Sequence, residues 1–167
     1  REMGVIMADI AILLNPTAGR GRALRVREEL EAKLRKHEID YSLDISESEK
    51  HLRELTVERA RDHHTIAAAG GDGTFNIVIN ELMIHGLQNR FAMIGLGSSN
   101  DITREFGVDS LERACLYLKR GEIKQADLGI ITAEGLGHFY FLGTASLALG
   151  TTVNRYVENF ARNHPLL

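Results

Sequence analysis

Residues 65–83 read TIAAAGGDGTFNIVINELM. A run of small, mostly apolar residues, Thr65 to Ala69, passes without a break into Gly70-Gly71-Asp72-Gly73-Thr74. Phe75, Val78, Ile79, Leu82 and Met83 follow at the spacing of one helix face. The pattern is a buried strand, a glycine turn and a helix that ends near Gly86. Three glycines around one acid are costly for either flanking element, so their concentration at a strand–helix junction points to close approach of a backbone to something else.

The same grammar extends in both directions. Asp9 to Asn15 (DIAILLN) is a continuous apolar run of the kind found in strands buried on both faces. The loop PTAGRGRA follows, then a helix carrying Val26, Leu30 and Leu34. Ile39 to Ser46 reads as a strand and Glu49 to Asp62 as a helix with Leu52, Leu55 and Ala60 inward. Phe91 to Gly95 is a further strand, followed by the loop LGSSND and a short helical piece to Phe106. Asp109, with Glu112 three residues on, is a candidate cap for the next helix, and Gly121 sits where a helix-ending glycine belongs. Alternating strands and helices predict an α/β fold, a doubly wound, mostly parallel, Rossmann-like sheet with helices on both faces. After Gly121 the pattern changes: Ile123–Thr132 and His138–Leu149 read as a hairpin across AEGLG, and Leu149–Asn163 as a helix with Val153, Tyr156, Val157 and Phe160 on one face. The expected organisation is a leader or cloning remnant at 1–8, an α/β nucleotide-binding domain at 9–125, and the beginning of a β-sandwich-type domain at 126–167 whose remainder is absent. No internal repeat or low-complexity tract interrupts it.

Composition narrows the function. The chain has 167 residues, a formal charge of −3, 44% hydrophobic and 26% charged residues, which is ordinary globular composition. That length buries roughly 70% of the unfolded surface in one core, and a complete second domain would be a tight fit. The near-neutral charge argues against duplex DNA as a partner, and no nucleic acid is expected. One cysteine, Cys115, excludes a disulfide framework and Cys-rich zinc sites; it sits among Ala114, Leu116 and Leu118 as a core residue. No apolar run approaches the roughly 20 residues that span a bilayer, and Arg1 to Asp9 lacks the pattern of a secretory signal. His63-His64 has no carboxylate or cysteine at ligand spacing and reads as a pair of surface histidines. Tyr156, Val157 and Phe160 read as packing residues rather than as a lipid-facing patch.

Three strand ends lead into loops of small residues: Asn15-Pro16-Thr17-Ala18-Gly19-Arg20-Gly21, Gly70 to Thr74, and Gly95-Leu96-Gly97-Ser98-Ser99-Asn100-Asp101. In an open parallel sheet, ligands bind outside the carboxyl ends of the strands, so one crevice can hold all three. Amides free of a Cβ, at a helix N-terminus, suit phosphate. Taken alone, NPTAG is also a common turn and GSSND a common helix cap; together, in this order, the three describe a phosphate site. GxxxxGK[ST] and GxGxxG at a βα turn are both missing. Asp72 is the odd element. A carboxylate repels bare phosphate, so it fits beside Mg²⁺, or as an acceptor for amides or a ribose. The amides of Gly71–Thr74 and Gly97–Ser99 are the expected phosphate donors, with Asn76 and Asn100 orienting the loops. Arg20, Arg22 and Arg25 cluster beside the first loop, where they offset phosphate charge or simply form a solvated face.

NPTAGRGRA, GGDGTFNIVINEL, GLGSSNDITREFG and DLGIIT, in this order, resemble the diacylglycerol kinase catalytic-domain family, which includes bacterial lipid kinases, sphingosine kinases and ceramide kinases. The resemblance covers Ile10 to about Gly150. It implies an ATP-dependent lipid kinase that transfers the γ-phosphate of ATP to a lipid hydroxyl, with Mg²⁺ as cofactor and the nucleotide lying between an α/β domain and a β-sandwich. By position it assigns nucleotide contacts to Asn15, Pro16, Thr17, Ala18 and Gly19, and to Gly70, Gly71, Asp72, Gly73, Thr74, Phe75 and Asn76. Ser98 stands where the family has a Thr near the phosphates, followed by Asn100 and Asp101, and Ser46 falls near the strand end of another such Thr. Asp72 is the candidate metal ligand. Asp127 and Gly129 resemble the family's DxG entry into the second domain. Four departures stand out. Ile77 replaces a Glu, Ser99 replaces a Gly, Gly143 replaces an Asn, and no GDGE-like segment carrying the family's general base follows Gly150. The resemblance therefore implies a nucleotide-binding half, inactive alone, with its general base beyond Leu167. The partners implied are a nucleotide and a lipid substrate at a membrane surface, the location the cytoplasm or the periphery of a membrane, and an unpaired hairpin edge leaves a homodimer open. Two other functions compete: a small-molecule kinase of the NAD kinase type, which shares GGDGT, and a nucleotide-binding module without catalysis. Asp72→Asn is expected to abolish Mg-ATP-dependent turnover while leaving the fold intact.

Overall fold

The computed structural model describes residues 9–133 and 137–143. Expectations for 1–8, including the leader, and for the helix at Leu149–Asn163 lie outside the described residues. Four strands, β1 (Ile10–Leu14), β2 (Tyr41–Ile45), β3 (Thr65–Gly70) and β4 (Arg90–Gly95), form one parallel sheet in the order β2-β1-β3-β4. The helices are α1 (Ala18–Arg25), α2 (Arg27–Lys36), α3 (Glu49–Arg59), α4 (Asp72–Ile84), α5 (Asp101–Glu105) and α6 (Leu111–Arg120). A separate antiparallel pair, β5 (Gly129–Ala133) and β6 (Gly137–Phe141), follows. The first predicted β run, Ile123–Thr132, is thus a strand only from Gly129, and the second, His138–Leu149, starts one residue earlier at Gly137 and ends at Phe141, with 144–149 outside the described residues.

Alternation along the strands divides the core in two. Ile10, Ile12 and Leu14 of β1, with Ala67 and Ala69 of β3, face Ala23 of α1, Leu30 and Leu34 of α2 and Ala114 and Cys115 of α6. Ala11 and Leu13, with Ile66 and Ala68, face Leu52 and Leu55 of α3 and Phe75, Val78, Ile79 and Leu82 of α4. Every residue of β1 and β3 is buried, which is why these two runs carry no polar alternation. Each fully buried Leu or Ile here contributes about 1.5–3 kcal/mol relative to exposure.

Polar contacts fix the helices. Glu112 of α6 accepts from Lys33 Nζ (3.0 Å) and Lys36 Nζ (3.1 Å) of α2 and pairs with His37 Nε2 (2.8 Å). These hydrogen bonds, Lys33 first, hold the Glu112 carboxyl down at about 2. Arg59 donates to both carboxylate oxygens of Asp44 at 2.7 and 2.9 Å, which holds Asp44 below the usual carboxylate range and ties α3 to β2. Two sequence expectations are corrected. The cap of α6 is Ser110, whose Oγ accepts from Arg113 N, while Asp109 pairs with the Arg113 guanidinium instead. His63 is buried, not superficial: it lies between Ser42 Oγ (3.0 Å) and the carbonyl of Arg59 (3.0 Å). His64 is exposed, as expected.

Candidate functional site

The sheet order reverses between β1 and β3, since the chain runs from β1 outward to β2 and then returns to the other side of β1. A crevice forms at such a switch point, beyond the carboxyl ends of the two strands. The residues that follow β1 and β3 there are Asn15–Gly21 and Gly71–Thr74. Asn15 joins them: its main-chain N–H donates to Ala69 O at 2.9 Å and its Nδ2 donates to Thr74 Oγ1 at 3.0 Å. The Asn15 Oδ1 accepts from both the amide and the hydroxyl of Thr17, which closes the NPT turn.

The third loop arrives from β4. Leu96 N and Gly97 N both donate to Gly70 O, at 2.7 and 3.1 Å. A Cβ at Gly97 would lie 2.6 Å from Gly71 Cα and 2.9 Å from Asn100 Oδ1, and one at Gly19 would lie 2.5 Å from Leu96 O. Those distances are below any van der Waals contact, so the glycines let three backbones touch. The three loops therefore converge on a single rim. Gly19, Arg20 and Gly21 at the start of α1 have φ of 59, 57 and 81°, and Asn100 has φ of 53°. Left-handed Arg and Asn residues are uncommon, cost about 1 kcal/mol or more each, and cluster at sites where backbone geometry matters.

Helix α4 opens on this rim. Its N-cap is Gly71, with no side chain to occupy the first-turn amides, so the N–H groups of Asp72, Gly73 and Thr74 have no partner within the helix. Above Gly73, a Cβ would meet nothing within 4 Å. Asp72 turns its carboxylate sideways: Oδ2 accepts from Asp101 N and Oδ1 from Ile102 N, both at 3.3 Å, at the start of α5. Of the alternatives open for Asp72, the amide contacts are present, so Asp72→Asn removes an acceptor from a structural contact as well as a charge. Asn100 Oδ1 is buried without a hydrogen-bond partner, the one such side-chain atom among the described residues. Leaving an acceptor dry costs about 1–3 kcal/mol, so this oxygen suits a cation, a water or a donor group of a ligand. Among the described residues no three His, Cys, Asp or Glu side chains gather as a metal cage.

The remaining predicted residues surround the rim. Ser46, at the end of β2, is buried, with its N–H and Oγ both donating to Leu14 O. A cavity of about 230 Å³ lies beside it, lined by Asn15, Pro16, Thr17, Ser46, Leu52 and Ile77. Ile77, the apolar departure noted above, forms one wall. Pro16 and Ala18 are half-buried, Thr17, Ser98, Ser99 and Asp101 exposed, and Phe75 fully buried in the core. Phe75 therefore supports the rim from below. Asn76 Oδ1 accepts from Leu142 N at 2.9 Å, so this side chain holds the start of the segment after β6. Arg20, Arg22 and Arg25 are exposed, and no carboxylate lies within 4 Å of any of them among the described residues. A larger hollow, about 730 Å³, runs along β4, the edge strand among the described residues, past Phe91, Met93 and Tyr117 and touches none of the three loops. No described helix is long and apolar enough to cross a membrane.

Comparison with known proteins agrees with the fold. The diacylglycerol kinase of Staphylococcus carnosus (strain TM300) is 26% identical over 140 residues, covering 81% of this chain and 43% of the relative. Human sphingosine kinase 1 is 28% identical over 154 residues, covering 81% of this chain and 40% of the relative. A crystal structure of a diacylglycerol kinase from Bacillus anthracis str. Sterne superposes with a TM-score of 0.66 at 22% identity, over 81% of this chain and 46% of that one. The chain thus spans less than half the length of these three. The model of the diacylglycerol kinase catalytic domain matches residues 9–131, and on that match the chain belongs to the diacylglycerol kinase catalytic-domain family.

Proposed function

We propose that the chain is the nucleotide-binding half of an ATP-dependent lipid kinase, with residues 9–125 as the nucleotide domain and residues from 126 onward opening a second, β-rich one. The observation that carries this reading is the convergence of the three glycine loops at the switch point, where no side chain caps α4 and the space beside Gly73 is open. Phosphoryl transfer demands positioning and charge neutralisation more than covalent chemistry from the protein. The amides of Gly71–Thr74 and of Ser98 and Ser99 bind and orient the phosphates, aided by the positive end of α4; the Gly97 amide, expected among them, is already donated to Gly70 O. Arg20, Arg22 and Arg25 offset phosphate charge from the flank. The cavity between Thr17, Ser46 and Ile77, whose wall also carries Glu47, Ser48 and Glu49, takes the uncharged end of the nucleotide.

Mg²⁺ prefers oxygen ligands and keeps several waters and phosphate oxygens. The Asp72 carboxylate and the unpartnered Asn100 Oδ1 fit that chemistry, one on each of two touching loops. Bound there, the ion would neutralise charge on the phosphates. The curated relatives are more than twice as long as the stretch this chain matches, and on this reading acceptor binding and the general base lie outside the described residues. Names of the relatives support diacylglycerol or a related lipid alcohol as acceptor.

The test is a thermal-shift titration of the chain with Mg-ATP, Mg-ADP and NAD, paired with phosphate transfer from ATP to diacylglycerol in the intact protein. Stabilisation by Mg-ATP or Mg-ADP and label in the lipid are expected. Stabilisation by NAD alone would replace the lipid-kinase reading with a dinucleotide one, and no response to any nucleotide would refute both.

A further inference from the structure

The hairpin β5–β6 is held to α4 by two asparagines. Asn80 Oδ1 accepts from Tyr140 N at 2.9 Å and Asn80 Nδ2 donates to Tyr140 O. One turn earlier, Asn76 Oδ1 accepts from Leu142 N at 2.9 Å, and Asn80 Nδ2 also donates to Asn76 O at 2.8 Å. A side-chain amide is chemically a peptide group, and Asn80 pairs with Tyr140 as a neighbouring strand would, donor to acceptor and acceptor to donor. In β6, Tyr140 stands opposite Ile130 of β5, and because its N–H and C=O are both taken by Asn80, they face the edge away from β5, as does the Leu142 N–H taken by Asn76. Helix α4 covers that edge with asparagine amides. The spacing matches: four helical residues rise about 6.0 Å and two strand residues about 6.8 Å. Apolar contact alone, from the Leu142 and Tyr140 side chains against the α4 face, tolerates sliding; the two amides admit one register only.

That register has a consequence at the rim. Helix α4 begins at Asp72, capped by Gly71, and β6 ends at Phe141; the chain continues through Leu142 and Gly143 beside α5, where a Cβ on Gly143 would lie 3.3 Å from Ile102 Cγ1. Ile102 is the residue whose N–H is held by Asp72. The polypeptide therefore passes from the hairpin toward its later residues at the edge of the phosphate rim. A slip of one residue would move this exit by about 3.4 Å, and reactant misplacement of about 1 Å costs on the order of a hundredfold in rate.

We infer that Asn80, with Asn76, is a positioning residue for phosphoryl transfer: it sets the register of the second-domain hairpin on the nucleotide helix, and so the distance between the acceptor and the γ-phosphate. The inference rests on the kinase reading above. In the intact protein, Asn80→Leu is expected to lower kcat by about tenfold or more while KM for ATP stays within about twofold, because the rim amides are untouched. Amide hydrogen exchange at Tyr140 and Leu142 is expected to accelerate in the same variant. Asn80→Asp supplies a second test if the Leu variant folds poorly. Its carboxylate cannot donate to Tyr140 O, but the protonated acid can, so its rate relative to the parent should recover as pH falls. Unchanged kcat in Asn80→Leu, a fall shared equally by ATP binding, or an Asn80→Asp deficit independent of pH would overturn the positioning role. If the parent moves no phosphate to any lipid, the kinase reading and the positioning role fall together, whereas the exchange rates at Tyr140 and Leu142 still report whether the latch itself exists.

Discussion

Replacing Gly73 with Ala separates the two things a glycine on this rim can do. A Cβ at Gly73 meets nothing within 4 Å, and its φ is not in the left-handed region. The residue lies in the first turn of α4, which no side chain caps. The fold should therefore gain: replacing a strain-free Gly with Ala contributes about 0.4–1 kcal/mol, chiefly by restricting the unfolded chain. For a protein of this size that raises Tm by about 1–4 °C. The bound phosphate should lose, because a methyl group stands over the amides it would approach. Loss of one charge-assisted hydrogen bond, about 1.5–3 kcal/mol, weakens affinity by tenfold or more. With Mg-ATP fixed at 100 times the parent's Kd, the ligand stabilises the parent by about 2.7 kcal/mol and a tenfold weaker variant by only about 1.4 kcal/mol. Differential scanning fluorimetry with and without Mg-ATP reads both effects from one plate. A variant that is more stable alone and less stabilised by nucleotide is expected. A Gly73→Ala protein with the parent's full nucleotide shift would refute the assignment of these amides to phosphate.

Other substitutions test neighbouring contacts. Gly97→Ala places a methyl 2.6 Å from Gly71 Cα, so overpacking should cost about 1–3 kcal/mol, seen as a lower Tm before any ligand is added. Asp72→Asn should lose both nucleotide response and about 1–2 kcal/mol of stability, since its oxygens accept the Asp101 and Ile102 amides; urea titration measures the second effect. Glu112 has an ordinary value of 4.5 and is held at about 2 by Lys33, Lys36 and His37. A depressed carboxyl stabilises the fold above its unfolded value, so this contribution is present above pH 4.5 and disappears as pH falls toward 2. Glu112→Gln should flatten acid unfolding in that window, as followed by circular dichroism. Burial pushes the Cys115 thiol up to about 11, so the native protein at pH 8 should resist a thiol reagent that labels it at once in denaturant.

Much of this architecture was legible because it is local. The continuous apolar runs of β1 and β3 announce strands buried on both faces, and the shift from period two to helical spacing after Thr74 marks α4. The glycine loops were legible for the same reason, since a glycine between a strand and a helix advertises its own cost. Partnerships across long sequence separations were not. Nothing near His63 says that Ser42 will meet its ring, and nothing near Asp72 says that its oxygens will meet amides some thirty residues later. Asp109 and Ser110 are both good caps, and only the path of the chain into α6 chooses Ser110. Family resemblance assigns Asn76 to the nucleotide loop, and nothing near it in sequence says that its Oδ1 will accept from Leu142 N, 66 residues later.

Backbone amide NMR of the chain titrated with Mg-ATP tests the central claim most directly. The account predicts that the largest shifts fall together on Gly19, Gly71–Thr74 and Gly97–Ser99, residues far apart in sequence and adjacent at one rim. Shifts confined to the hollow along β4, or no shifts at saturating nucleotide, would contradict it.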